Sequence, residues 1–229
     1  MSRRAGDYRW GNYTRGGMSR HPGEDERLNL LSDLTLQAIM SRIVGTLVFV
    51  AVSGGVLTLL VRLLSRPEAK HDVGFTANPF THLSLPGLTM AILFRVTWMR
   101  FRFVSPDDLK GGRVALVGIA VATLLAGLTL VVALDPVRPL VANGLPRTVG
   151  YAVLQAIDTT QKLALASLPL NLLPLPGLTG GLLLLAAFPE RERQTRRAVA
   201  PVQAALVVIL VLGWWPDIGA MLAPYLTRS

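Results

Sequence analysis

From Val114 to Leu134 the chain runs without a single charged residue. A helix needs about 20 apolar residues to cross the roughly 30 Å hydrocarbon core of a bilayer, and this run meets that length. Backbone polar groups in lipid must be satisfied internally, so such a run is expected to fold as a helix. Four further segments approach the same length. Ile43–Leu64 is interrupted by charge only at Arg62. Pro79–Trp98 has a short apolar heart, Leu83–Phe94, with Pro86-Gly87 inside it, and reads either as a span or as a re-entrant hairpin. Gly150–Ala187 is too long for one straight helix and contains Pro169, Pro174, Pro176 and Gly177, so a broken helix is expected. Val199–Leu226 carries Trp214-Trp215-Pro216, an aromatic pair suited to the membrane interface. The predicted fold is an all-α integral membrane protein with about five transmembrane segments in a membrane domain over residues 43–226.

Composition agrees. Of 229 residues, 51% are hydrophobic and 16% charged, and the mean hydropathy is +0.46, which excludes an ordinary soluble domain. The absence of Cys removes disulfides, thiolate metal sites and cysteine nucleophiles. The net charge of +9 comes mainly from short Arg-rich loops and the amino-terminal segment, as suits a chain facing anionic lipid, and no nucleic-acid partner is expected. Residues 1–33 read as a tail, disordered alone, in which Tyr8, Trp10 and Tyr13 stand among spaced arginines and can dock on a partner or on lipid headgroups. Residues 34–42 mix apolar and polar types as an interfacial helix does. No secretory leader is recognisable, because the first apolar run begins late and lacks a cleavage-like motif.

Orientation follows the Lys and Arg distribution. Five spans put the tail, the 95–113 segment and the Arg191/Arg193/Arg196/Arg197 cluster on the cytoplasmic side, together with most of the positive charge. A re-entrant second segment nearly balances the two sides and moves the tail outside. The expected location is the cytoplasmic (inner) membrane of a bacterium, with a cytoplasmic tail under the five-span reading.

Two stretches resemble the site-2 protease family of zinc intramembrane metalloproteases. Asn171-Leu-Leu-Pro-Leu-Pro-Gly-Leu-Thr-Gly-Gly181 is similar to the family's NLLPxPxLDGG segment. Arg66-Pro-Glu-Ala-Lys70 with Gly74-Phe-Thr-Ala-Asn-Pro-Phe-Thr-His82 is similar to its DPTAK…GRLTLNPLAH region, and Ser105-Pro-Asp-Asp-Leu-Lys110 to its VNPRNLR loop. The similarity covers about Val52 to Pro189. It implies a site-2-protease-like core with a short strand-like loop, three zinc ligands from HExxH and LDG, and a glutamate general base. Aligned without gaps, HExxH falls on Ser53-Gly54-Gly55-Val56-Leu57, the LDG aspartate on Thr179 and the asparagine of GPxxN on Ala122. Ser53, Gly54, Leu57, Ala122 and Thr179 are therefore degenerate positions, and neither metal nor cofactor is expected. His21, His71 and His82 share no i,i+4 spacing that would replace the ligands.

Gly118, Ala122 and Ala126 form a small-xxx-small stripe, read either as a helix-contact face or as chance in an Ala-rich helix. The Asn171 loop with Pro174 and Pro176, and the strand-like Thr76-Ala77-Asn78, can receive a partner's segment by strand pairing or be filled by their own neighbours. Asp158 and Lys162 share a helix face, either as an interfacial ion pair or as a functional pair at membrane depth. The leading expectation is a pseudoprotease acting as a structural, accessory or assembly subunit, with integral membrane proteins and lipid as partners. Its rivals are an active metalloprotease with an atypical centre and, on Asp158/Lys162 alone, a small-solute carrier.

Overall fold

The computed structural model describes residues 35–67, 79–100, 103–216 and 221. The chain divides into residues 1–34 and 35–229, and the expected tail, with Tyr8, Trp10 and Tyr13, lies outside the described residues, as does Thr76-Ala77-Asn78. The described part is mostly helical and contains no strand. Its helices are α1 (Leu36–Leu64), α2 (Leu85–Phe94), α3 (Gly112–Leu134), α4 (Val137–Gly144), α5 (Arg147–Leu172), α6 (Gly181–Ala187) and α7 (Glu192–Val211).

Three helical stretches are long and apolar enough to cross a membrane: Leu36–Leu64, Gly112–Gly144 and Pro189–Val211. The first is one uninterrupted helix, and residues 36–42 of the expected interfacial segment form its opening turns. Thr35 caps it by accepting from the Ala38 N–H at 3.2 Å. Its 29 residues extend about 44 Å at ~1.5 Å per residue, more than hydrocarbon requires.

Beyond α1 the chain turns back on itself. Ser65 pairs antiparallel with Leu109, the Arg66 N–H donating to Asp108 O at 2.8 Å and the Lys110 N–H to Leu64 O at 2.7 Å. The end of α1 and the approach to α3 therefore meet. Between them a second pairing, Leu83 with Met99, closes a hairpin whose outward leg is α2 and whose return leg is extended. Ser84 caps α2 with Pro86 in its first turn, and Arg95 ends it in the left-handed region at φ 58°. The second apolar segment is thus a ten-residue helix followed by an extended return, and not one long helix.

The bundle core is α1, α3 and α5. Packing of Gly45 on Thr160, and of Phe49 and Ser53 beside Gly127 and Leu168, runs α1 parallel to α5 with α3 antiparallel to both. Helix α5 begins at Arg147, earlier than the expected Gly150, and continues three residues past Pro169 before the chain breaks at Leu173. The expected break thus falls after Leu172, followed by a loop to Gly180 and by α6, which packs on α3. Helix α7 starts at Glu192, seven residues before the expected Val199, and contains Pro201. Helix α4 was not foreseen; it prolongs α3 past Asp135-Pro136 and folds back against α5.

Candidate functional site

The positions aligned with HExxH lie on the inner face of α1, where Ser53, Gly54 and Leu57 are all buried. Gly54 is covered by an imidazole. A Cβ built there would meet His82 Cγ at 2.5 Å, so only glycine admits the ring. One turn on, Thr58 donates its hydroxyl to Gly54 O at 2.8 Å and stands 3.3 Å from His82 Nε2. His82 also joins the hairpin's base, its carbonyl accepting from the Arg100 N–H at 2.7 Å. Ser53 faces the other way, towards Gly127, and its buried Oγ has no hydrogen-bond partner among the described residues.

A second polar seam joins the hairpin to the break after α5. The Thr97 N–H donates to Ser167 Oγ at 2.9 Å, and Asn171 Nδ2 donates to Thr97 O at 3.0 Å and to Ser167 O at 2.9 Å. Thr179 Oγ1 lies 3.4 Å from Asn171 Oδ1, and the Gly180 N–H donates to Asn171 O at 2.8 Å. Asn171 therefore holds the return leg with its side chain and the Leu173–Gly180 loop with its backbone. The loop's own N–H groups at Leu173, Leu175 and Leu178 bond to carbonyls within three residues, so much of its donor capacity is used locally. Pro174 is exposed and Pro176 half-buried. Thr97, Ser167, Asn171 and Thr179 are all buried, so the polar groups bonded in this seam satisfy one another inside the bundle.

The zinc centre implied by the resemblance does not fit these residues. Zinc needs three or four donors of imidazole, thiolate or carboxylate type. Ser53 and Thr179 offer hydroxyls, Leu57 an alkyl group and Gly54 nothing, while His82 brings one imidazole already packed on Gly54 and Thr58. Among the described residues no three His, Cys, Asp or Glu side chains are grouped to hold a metal. Comparison with family models, curated proteins and solved structures returns no match.

The remaining candidates separate. The buried face of α3 is Leu116, Ile119, Ala120, Thr123, Gly127 and Val131, whereas Gly118 is exposed and a Cβ there would meet nothing within 4 Å. Ala122 and Ala126 are half-buried. Among the described residues the stripe thus makes no close helix contact at Gly118. Asp158 and Lys162 do pair, at 2.8 Å, within a wider network at the α3–α4 bend. There Gln161 Nε2 donates to Val131 O at 2.7 Å and to Asp135 Oδ1 at 2.8 Å, and Arg138 Nη2 donates to Gln161 Oε1 at 2.5 Å. Arg138 Nη2 also lies 3.5 Å from Asp158 Oδ1. Asp158 and Lys162 are each about half exposed.

Sequence reasoning missed the roles of His82, Thr58, Thr97 and Ser167. The signal available for His82 was its place at the end of the NPLAH-like stretch, opposite a Gly-Gly pair in the first span. Nothing in local spacing points to Thr97.

Proposed function

We propose that the chain is a non-catalytic, site-2-protease-like membrane protein, a structural, accessory or assembly subunit that binds other membrane helices within a larger complex of the bacterial cytoplasmic membrane. The observation that carries this is the environment of Gly54. Where the resemblance asks for a general base beside zinc, the imidazole of His82 lies on the helix backbone and ties the hairpin to α1. A joint of this kind stabilises a scaffold and leaves no place for a metal-bound water. Helix α7 adds support for a binding role, since only 17% of its most apolar window is buried within the chain. Its remaining surface is available to lipid or to another helix.

The proposed topology has four crossings, α1, α3, α5 with α6, and α7, with the hairpin re-entrant. The pairing of Ser65 with Leu109 supports it. The cytoplasmic side takes the end carrying Arg62, Lys110 and Arg193, and α1 begins on the opposite side. The cytoplasmic tail of the five-span reading is thereby reversed.

Metal analysis of the purified chain tests the catalytic half of the proposal, with no stoichiometric zinc expected. Zinc bound at one per chain and lost on Thr179→Ala would overturn it. Purification from native membranes in mild detergent tests the other half: stoichiometric co-purifying membrane proteins are expected, and a chain that always emerges alone would refute the subunit role.

A further inference from the structure

The pairing of Ser65 with Leu109 does more than close a loop: it sets Arg62 and Arg66, at the end of α1, beside Lys110 and Arg113, at the start of α3. The start of α7 comes to the same end, because the Arg196 guanidinium lies 4.5 Å over the Phe103 ring just ahead of α3. Three separate segments thus build one basic rim. Within it Arg196 is paired with Glu192 at 2.7 Å, and Arg191 stacks on Phe188. Arg62, Arg66, Lys110, Arg113, Arg193 and Arg197 are exposed and form no ion pair among the described residues. Among the described residues the acids of this end are fewer: Asp107, Asp108, Glu190 and Glu192. At the α3–α4 bend, by contrast, Arg138 and Lys162 are neutralised by Asp135 and Asp158.

A second observation fixes the depth of the rim. Leu63 is 61% exposed and Val114 is 81% exposed, each next to a rim cation. Exposed aliphatic side chains at that height belong against acyl chains, so the neighbouring cations reach outward to the headgroup level. We propose that this rim binds the phosphates of anionic lipid headgroups and so anchors this end of the bundle to an anionic leaflet. Cations held at such a surface attract it cooperatively, and the attraction falls off within a Debye length. The assignment rests on the position of the rim and is independent of whether other helices bind the chain.

The test uses the full chain in vesicles of phosphatidylcholine mixed with phosphatidylglycerol, with lipids retained after mild extraction counted by native mass spectrometry. Phosphatidylglycerol is expected to dominate the retained lipid. Changing Arg62, Arg66, Lys110, Arg113, Arg193 and Arg197 together to Gln should reduce its retention by roughly fivefold or more, following the strength of a single surface cation. Arg138→Gln with Arg147→Gln, at the other end, should leave retention unchanged. Equal retention of both lipids by the wild-type chain, or an equal fall in both variants, would overturn the proposal. Should the six-site variant fail to fold, the wild-type preference must vanish at high salt; a salt-independent preference would overturn it as well.

Discussion

Gly54 and Gly118 are both glycines of membrane helices, and their surroundings give them opposite roles. At Gly54 an added methyl must displace a buried imidazole, so Gly54→Ala should destabilise the chain by about 1–3 kcal/mol, as overpacking does. At Gly118 the space is open, and Gly118→Ala should stabilise the isolated chain by about 0.5–1 kcal/mol through helix propensity. Thermal unfolding of the two variants in detergent checks both signs; a harmless Gly54→Ala would remove the His82 joint. Asn171 is the other decisive side chain, since its amide donates to two backbone carbonyls. Asn171→Ala leaves Thr97 O and Ser167 O buried without that donor, which should cost about 1–3 kcal/mol and is read in the same assay.

At the scale of the element, the α2 hairpin decides the architecture. Its tip is held by Arg42, a buried arginine of α1 whose guanidinium donates to Ile92 O in the last turn of α2. A cation at a helix carboxyl end also meets the negative end of the helix dipole. Arg42→Met keeps the packing volume and removes both effects, so amide exchange over residues 92–98 should quicken while α3 stays protected; unchanged exchange would mean that Arg42 does not hold the tip. Much at this scale was readable in advance. The charge-free run to Leu134 gave α3 almost to the residue, because uninterrupted apolar sequence leaves a helix as the available solution. Of the four residues that predict a broken helix, Pro169 lies inside α5 and the break comes after Leu172, ahead of Pro174, Pro176 and Gly177, since surrounding helices support a proline inside a membrane helix. The hairpin's seat was not readable, because Thr97 finds Ser167 only across 70 residues of sequence.

For the whole molecule, the count of crossings is the property with the widest effect, and the chain is suited to measuring it because it has no native cysteine. Single cysteines at exposed Lys110, Asn143 and Gln194 report the three ends in question. A membrane-impermeant maleimide should label Lys110→Cys and Gln194→Cys from one side and Asn143→Cys from the other. Labelling of positions 110 and 194 from opposite sides would refute the four-crossing topology. At this scale the resemblance singled out Ser53, Gly54 and Thr179, but not that Gly54 is covered from a segment about thirty residues downstream, because that depends on the hairpin's return.

The hairpin's anchoring also sets an order on biogenesis. Its return leg is complete once Arg100 has been synthesised, yet the hydroxyl and amide that receive Thr97 lie 70 and 74 residues beyond Thr97 in the chain. At about 5–20 residues per second the hairpin waits roughly 4–15 s for its seat, with an unpaired backbone that lipid cannot satisfy. During that interval α1 already offers its contacts at Gly54, Thr58 and Arg42, and docking is completed only after α5 arrives. A nascent chain arrested before Ser167 leaves its ribosome with the hairpin's docking incomplete.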